Sequence, residues 1–253
     1  MRFGAPHHHY RVTDSTNTRA RELAEGGASG GTVVTAREQT AGRGRIGRAW
    51  TAPEGKALLY SAILRPLDER HLLLPLSVPL AVCTAAEELR PGIECQVKWP
   101  NDVWLEEHKL SGILIEAKPQ DGWAVIGIGL NLSIAPEEFP PDLRQPATSL
   151  FGDVSGTRGG SRRSLPAVAP PGPPPSPSTA AEVLSRHLDR WVYADHDNVL
   201  EEWRSRDGLH GREVSWEDGS GIADGIDDRG NLVVAVPGGR HVSLGAGEVQ
   251  LRL

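Results

Sequence analysis

Sulfur is scarce in this chain, with one methionine and two cysteines among 253 residues. Neither Cys83 nor Cys95 has a second cysteine or a histidine at metal-ligand spacing, so no zinc framework is offered. Cys83 sits in an apolar run of helical spacing and reads as a small buried hydrophobe. So few cysteines suit a reduced, cytoplasmic compartment. Long apolar runs are missing too. None approaches the ~20 residues a bilayer span requires, and Met1-Arg2-Phe3-Gly4 lacks the apolar core of a signal peptide. Positive charge is outweighed by negative, 27 against 33, for a formal net charge of −6. That balance does not coat nucleic acid or an anionic membrane, so any anion must be held by a local cluster. His7-His8-His9 receives no assignment, because three histidines near a chain end read as solvated.

What is present is a core-forming content of 38% apolar residues, enough for a large domain with a small companion. Asp14-Ser15-Thr16-Asn17 offers caps for a helix running to about Glu25, ended by Gly26-Gly27. Thr32 to Ala36 and Ala57 to Leu64 read as strands on either side of a Gly/Arg loop. Pro75 to Leu89 is apolar at helical spacing, with Pro79 marking a bent or late first turn. Gln96–Leu105, Leu110–Ala117 and Ala124–Leu132 read as three strands of an antiparallel meander joined by polar turns. Gly156 to Ser178 turns to Gly, Ser, Arg and many prolines, the composition of a disordered insertion. Helix resumes near Thr179, where Thr179 and Glu182 suit a capping box, and a second piece carries Leu200 and Trp203. From Arg212 the period switches to two, with turns at Asp218-Gly219, Asp228-Arg229-Gly230-Asn231 and Gly238-Gly239. That predicts a small all-β unit of about five strands. The fold class is α+β: a mixed, mainly antiparallel sheet with helices on one face. The expected division is a catalytic domain over 1–208 and a β unit over 209–253.

The strongest chemical signal runs from Gln39 to Trp50. Gly42, Gly44 and Gly47 let backbone N–H groups approach an anion, while Arg43, Arg45 and Arg48 supply forked donors suited to phosphate or carboxylate. No Gly-Lys-Ser/Thr follows, so it is not a P-loop, and the spacing is not a dinucleotide fingerprint. By itself a Gly-Arg run is most simply a solvated loop or an RNA-binding repeat, and the acidic chain counts against the latter. Lys98-Trp99-Pro100-Asn101-Asp102 places a proline in a strand run, which implies an edge or a bulge. Lys109-Leu110-Ser111-Gly112 opens an uncluttered strand. Gly127, Gly129 and Asn131 leave room on one face of the next.

In this order the elements resemble the biotin protein ligases: Asp-Ser-Thr-Asn, Gly-Arg-Gly-Arg-x-Gly-Arg, Lys-Trp-Pro-Asn-Asp, Lys-x-Ser-Gly-Ile-Leu and Gly-x-Gly-x-Asn. The Gly211–Leu253 tail, with Gly225-Ile226-Asp227 and Gly247-Glu248-Val249, is similar to that family's SH3-like C-terminal barrel. The resemblance implies a class II synthetase-like catalytic fold. It also implies formation of biotinyl-5′-AMP from biotin and ATP with Mg²⁺, then transfer to a lysine of a biotin carboxyl carrier protein. It assigns catalysis to Arg45, Lys109 and Arg48. Biotin contacts fall to Ser15, Thr16, Asn17, Gln39, Gly42, Arg43, Ser111 and Gly112. Nucleotide contacts fall to Arg45, Trp50, Lys98, Asn101 and Asn131, and Mg²⁺ to Asp102. The first motif begins at Asp14, leaving no room for the helix-turn-helix of repressor-type members, so no DNA partner is expected. A monomer or weak homodimer is expected. A lipoate–protein ligase or octanoyltransferase is the nearest alternative enzyme, and a non-catalytic nucleic-acid-binding module is the alternative from another class.

Overall fold

A computed structural model describes residues 2–152, 172–245 and 250–251. Strand β1 (His7–Thr13) leads into helix α1 (Thr16–Glu25) and then β2 (Val33–Gln39). Next come β3 (Ala57–Leu64), α2 (Leu74–Leu89), β4 (Cys95–Lys98), β5 (Asp102–Leu105), β6 (His108–Lys118) and β7 (Trp123–Asn131). Helices α3 (Pro177–Trp191) and α4 (His196–Ser205) follow. The small strands β8 (Glu213–Trp216), β9 (Gly219–Ile226), β10 (Leu232–Val236), β11 (Arg240–Leu244) and β12 (Gln250–Leu251) end the chain.

The first seven strands form one sheet in the order β1-β2-β3-β7-β6-β5-β4. Only β1 and β2 pair in parallel; the other neighbours are antiparallel. Every residue of β3 is buried, because this central strand is covered on both faces. Leu58, Tyr60, Ala62 and Leu64 pack toward α2 and α3 in the main core, whereas Ile63 joins Ala20, Ala24, Val34, Trp123 and Val125 beneath α1. The helices expected on one face are therefore α2 and α3, and α1 lies on the other. There its N-terminus leaves part of the sheet uncovered for a ligand.

Several local expectations shift. The run Gln96–Leu105 is two strands, because Trp99-Pro100-Asn101 turns the chain between β4 and β5. Proline cannot donate to a ladder, and here it sits in the turn at the edge of the sheet. The α4 exit covers that edge: Val97 N–H donates to Arg206 O at 2.8 Å and Gly208 N–H to Val97 O at 2.9 Å. Helix α2 starts at Leu74 with Pro75 in its first turn and holds Pro79 inside, beyond the first turn expected for it. Helix α3 starts earlier than Thr179: Ser176 is the N-cap and accepts from Thr179 N–H at 3.1 Å, so Pro177-Ser178 belong to its first turn. Residues 156–171 of the Pro-rich stretch lie outside the described residues, as do Gly247-Glu248-Val249. Strand β1 was not foreseen.

The C-terminal sheet has the order β11-β10-β9-β8-β12, all antiparallel. It shares its core with the large unit, since Val214, Ala223, Ile226, Leu232 and Val234 join the same cluster as α2. Trp99 Nε1 donates to Gly230 O at 3.1 Å. Gly230 has φ +81 and so close a neighbour in Leu76 that a Cβ would lie 3.1 Å from its Cδ1.

Candidate active site

The start of α1 is the buried end of the site. Ser15 occupies the N-cap position, yet no side-chain cap bond forms. Asp14 Oδ1 instead accepts from Ser15 N–H at 2.7 Å, and Arg19, bonding the same carboxylate, holds its pKa down at about 2. The next helix donor is satisfied across the sheet: Thr16 N–H and Oγ1–H reach Gln39 Oε1 at 2.7 and 3.0 Å. Ser61 Oγ lies 2.8 Å from Thr16 Oγ1 and 2.6 Å from Asn17 Oδ1, and Asn17 Nδ2 donates to Glu116 Oε2 at 2.9 Å. Gly127 makes this possible, because a Cβ there would sit 2.0 Å from Asn17 Oδ1. The Ser15 hydroxyl and Gln39 Nε2 make no hydrogen bond to described residues and remain for a ligand.

The Gly/Arg segment is a narrow excursion closed on itself. Trp50 N–H donates to Gly42 O at 3.0 Å and Gly44 N–H to Arg48 O at 2.8 Å, with a tight turn over Arg45–Gly47. Ile46 and Gly47 are left-handed, at φ 53 and 69. Gly42 is required, since a Cβ would lie 2.2 Å from Trp50 O. Arg43 turns outward to Glu116, at 3.0 and 3.2 Å. Arg45 and Arg48 line the cleft. Burial depresses the Arg45 pKa, Asp102 opposes that, and neighbouring Arg48 adds to it.

Across the cleft, a register shift between Val103 and Trp104 sets β5 against β6. Lys109 Nζ then lies 2.6 Å from Asp102 Oδ1, and 5.8 Å from the centre of the Trp50 ring. That ring rests on the glycine floor: a Cβ on Gly129 would meet it at 2.2 Å and one on Gly112 at 2.8 Å. Trp50 Nε1 is buried with no hydrogen-bond partner among the described residues. Asn101 is locked to Ile113 by two bonds of 3.0 Å, Asn101 Nδ2 to Ile113 O and Ile113 N–H to Asn101 O.

Together these residues form one open cleft, lined by Ser15, Thr16, Asn17, Gln39, Arg43, Arg45, Arg48, Trp50, Asn101, Lys109 and Gly112. Four expected ligand residues and the expected metal ligand are placed otherwise. Ser111 is fully buried and donates to Gly129 O at 2.7 Å, pinning β6 to β7. Asn131, also buried, donates to Thr148 O at 2.9 Å and so fastens the segment beyond β7. Gly42 serves the loop's closure. Lys98 donates to Gln145 Oε1 at 2.7 Å and lies over Trp104. Asp102 gives one oxygen to Lys109 and the other to Gln145 Nε2, at 2.6 Å each. Among the described residues no group of three or more His, Cys, Asp or Glu could hold a metal ion. This donor set does not fit a protein-built Mg²⁺ site, and the geometry gives Asp102 the positioning of Lys109 instead. Sequence reasoning missed Ser61, Glu116 and Gln145. Glu116 lies in the strand run Leu110–Ala117, two residues past the Lys-x-Ser-Gly-Ile-Leu motif, whereas Ser61 and Gln145 carry no sequence signal.

The description "Biotin/lipoate A/B protein ligase family" matches residues 9–133, and "Biotin protein ligase C terminal domain" matches 209–252. A biotin–[acetyl-CoA-carboxylase] ligase of Mycobacterium tuberculosis is 36% identical, over 94% of this chain and 85% of that one. The corresponding Paracoccus denitrificans ligase is 34% identical, over 91% and 94%. The bifunctional ligase/repressor BirA of Bacillus subtilis is 40% identical over 56% of this chain, which spans only 45% of that longer protein. Among solved structures, a biotin protein ligase from Aquifex aeolicus in complex with biotin and ATP superposes with TM-score 0.74 at 29% identity, covering 98% and 99% of the two chains. Both units of the fold, and a cleft that joins a polar end to a cationic one, thus have the same relatives: the chain belongs to the biotin/lipoate A/B protein ligase family, among its biotin protein ligases.

Proposed function

We propose that this protein is an ATP-dependent ligase that activates biotin as biotinyl-5′-AMP and transfers it to a lysine of a biotin carboxyl carrier protein. One observation carries the reading: a single cleft joins a buried, hydrogen-bonding end to a cationic end. A ureido ring presents one carbonyl and two N–H groups. The Ser15 hydroxyl and Gln39 Nε2 are complementary to such a ring, and Thr16, Asn17 and Ser61 hold them in place. A plain aliphatic acyl chain would leave those groups unpaired, at a cost of about 1–3 kcal/mol each.

In the first step a carboxylate oxygen of biotin attacks the α-phosphorus of ATP. The bond to the β-phosphate oxygen breaks and pyrophosphate leaves. Two anions must meet, and Arg45, Arg48 and Lys109 provide preorganised positive charge where they do. Mg²⁺ enters as the counter-ion of ATP and neutralises phosphate charge. In the second step a neutral carrier amine attacks the acyl carbon, a C–N bond forms, AMP departs and the amine loses its proton. Lys109, paired with Asp102 at 2.6 Å, faces the oxyanion as it develops. Trp50 closes the nucleotide side, and its N–H, unpaired among the described residues, is available to a ligand acceptor.

Among the described residues no helix is long and apolar enough to cross a membrane. Cys83 and Cys95 are free and buried. The proposed enzyme acts in the cytoplasm, as a monomer or weak homodimer, on the carrier of an acyl-CoA carboxylase, the protein class named in the Mycobacterium tuberculosis and Paracoccus denitrificans relatives. The test is incubation with ATP, Mg²⁺, biotin and a carrier domain, read as a mass gain on the carrier. Biotin-dependent gain is expected. Gain with lipoate or octanoate but not biotin would overturn the assignment.

A further inference from the structure

Four side chains run in a row that ends at the cationic end of the cleft: Lys98, Gln145, Asp102 and Lys109, the last of which lines it. Gln145 Oε1 accepts from Lys98 at 2.7 Å, Gln145 Nε2 donates to Asp102 Oδ2 at 2.6 Å, and Asp102 Oδ1 meets Lys109 at 2.6 Å. We propose that Gln145 is a positioning residue that insulates Asp102 from Lys98, so that the carboxylate's charge is committed to Lys109.

The physical need arises from two ammonium groups beside one buried carboxylate. Asp102 is 8% exposed, and an anion so placed takes any cation within reach. Lys98 belongs to β4, directly paired with Asp102 in the hairpin register. Without an intervening group it would compete for the same oxygens. A neutral amide resolves the competition, because its carbonyl satisfies one cation and its N–H satisfies the anion. No charge is added. Burial depresses the Lys98 pKa, which Asp102 opposes and Lys109 and Arg48 reinforce, as expected of a crowded cationic corner.

The backbone holds Gln145 to this task. Pro146 O accepts from Lys109 N–H at 2.9 Å, and Thr148 N–H donates to Lys109 O at 3.0 Å. The segment carrying the amide is therefore laced to the backbone of the lysine whose partner it guards. Asn131, through Thr148 O, fastens the same segment to the end of β7. This explains why a buried asparagine serves the site without lining it.

The inference rests on the ligase reading for its catalytic meaning but not for its geometry, so the experiment has two arms. Gln145→Met keeps the length and removes both hydrogen bonds. In the first arm the folded full-length protein is pulsed with a water-soluble acetylating reagent, and modification of each lysine is read by peptide mass spectrometry. Lys109 labelling is expected to rise about fivefold in Gln145→Met while Lys98 labelling falls, as Asp102 changes partner. Lysine labelling unchanged within about twofold at both positions would overturn the proposal whether or not the protein is a ligase. In the second arm biotin-dependent pyrophosphate release is measured at saturating ATP. Gln145→Met is expected to lower kcat about tenfold with the KM for biotin nearly unchanged, and adding Lys98→Met is expected to recover part of that loss. A double variant no faster than Gln145→Met refutes the insulating role. A wild-type protein that fails to release pyrophosphate refutes the ligase reading alone, and the labelling arm still decides the role of Gln145.

Discussion

Arg43 and Glu116 face each other fork to fork at 3.0 and 3.2 Å, and the same Glu116 oxygen that takes the longer bond accepts Asn17 Nδ2 at 2.9 Å. One carboxylate thus ties the Gly/Arg loop to the buried polar end of the cleft. Glu116→Gln keeps the size but cannot accept both guanidinium donors. With Arg43 41% exposed, the pair is solvent-screened and worth about 1 kcal/mol. The KM for biotin is expected to rise about fivefold, with kcat changed less than about twofold. An unchanged KM in steady-state assays would detach Glu116 from ligand binding.

Gly127 and Gly129 tolerate nothing larger. A methyl at 127 would lie 2.0 Å from Asn17 Oδ1, and one at 129 would lie 2.2 Å from the Trp50 ring. Gly127→Ala must therefore expel Asn17 from its bonds to Ser61 and Glu116. The expected result is a KM for biotin raised at least about tenfold and a stability loss of about 1–3 kcal/mol. Gly129→Ala should act instead on the KM for ATP, by lifting Trp50 from the floor. If calorimetry and kinetics showed both variants equal to wild type, the glycine floor would have no steric role.

Arg45→Ala and Lys109→Met remove cations that line the cleft, at the place proposed for the meeting of carboxylate and phosphate. Each is expected to lower the rate of adenylate formation by about 10²–10³, the usual cost of one preorganised charge. Rapid-quench measurement of labelled AMP formation checks this. Wild-type rates in either variant would take that residue out of the mechanism.

Acid stability should show a contribution from the C-terminal sheet. Burial alone would raise the Asp227 pKa. Bonds from Asn231 and Ser243 side chains and from the Asn231 and Arg229 backbone outweigh it and hold the value at about 2. Because the folded value lies below the unfolded one, near ~3.9, the stabilisation is present above that unfolded value. It fades as the pH falls toward about 2. Asp227→Asn should therefore melt below wild type at neutral pH, and the gap should close progressively below about pH 5. A gap independent of pH in thermal melts would mean that the carboxylate's charge is not what stabilises the turn.

Much of this was legible in the sequence because periodicity and turn chemistry are local. Ala57–Leu64 matched β3 to the residue. The Glu106-Glu107 turn before His108 appears as a two-residue hairpin with both residues left-handed, at φ 51 and 64. The polar residues of α1 and the Gly/Arg loop met in one cleft as their motif order implied. What was not legible depends on partners distant in the chain. Ser15-Thr16 resembled a helix cap, but the Thr16 donor is answered by Gln39 on another strand. Ser111 and Asn131 stood in ligand-binding motifs, yet their neighbours bury them as fasteners. Asp102 looked like a metal ligand until Lys109 and Gln145 occupied its two oxygens. Gln145 has no motif at all, since its meaning comes from Lys98 on one side and Asp102 on the other.

The hydrogen bond from the Trp99 indole to the Gly230 carbonyl joins the turn bearing Asn101 and Asp102 to the small terminal sheet. That sheet is accordingly a buttress for the chemistry as well as a neighbour of it. A chimaera that grafts a foreign C-terminal unit onto this chain must reproduce one backbone acceptor at one tight bend, or the graft will slacken a hairpin beside the cleft.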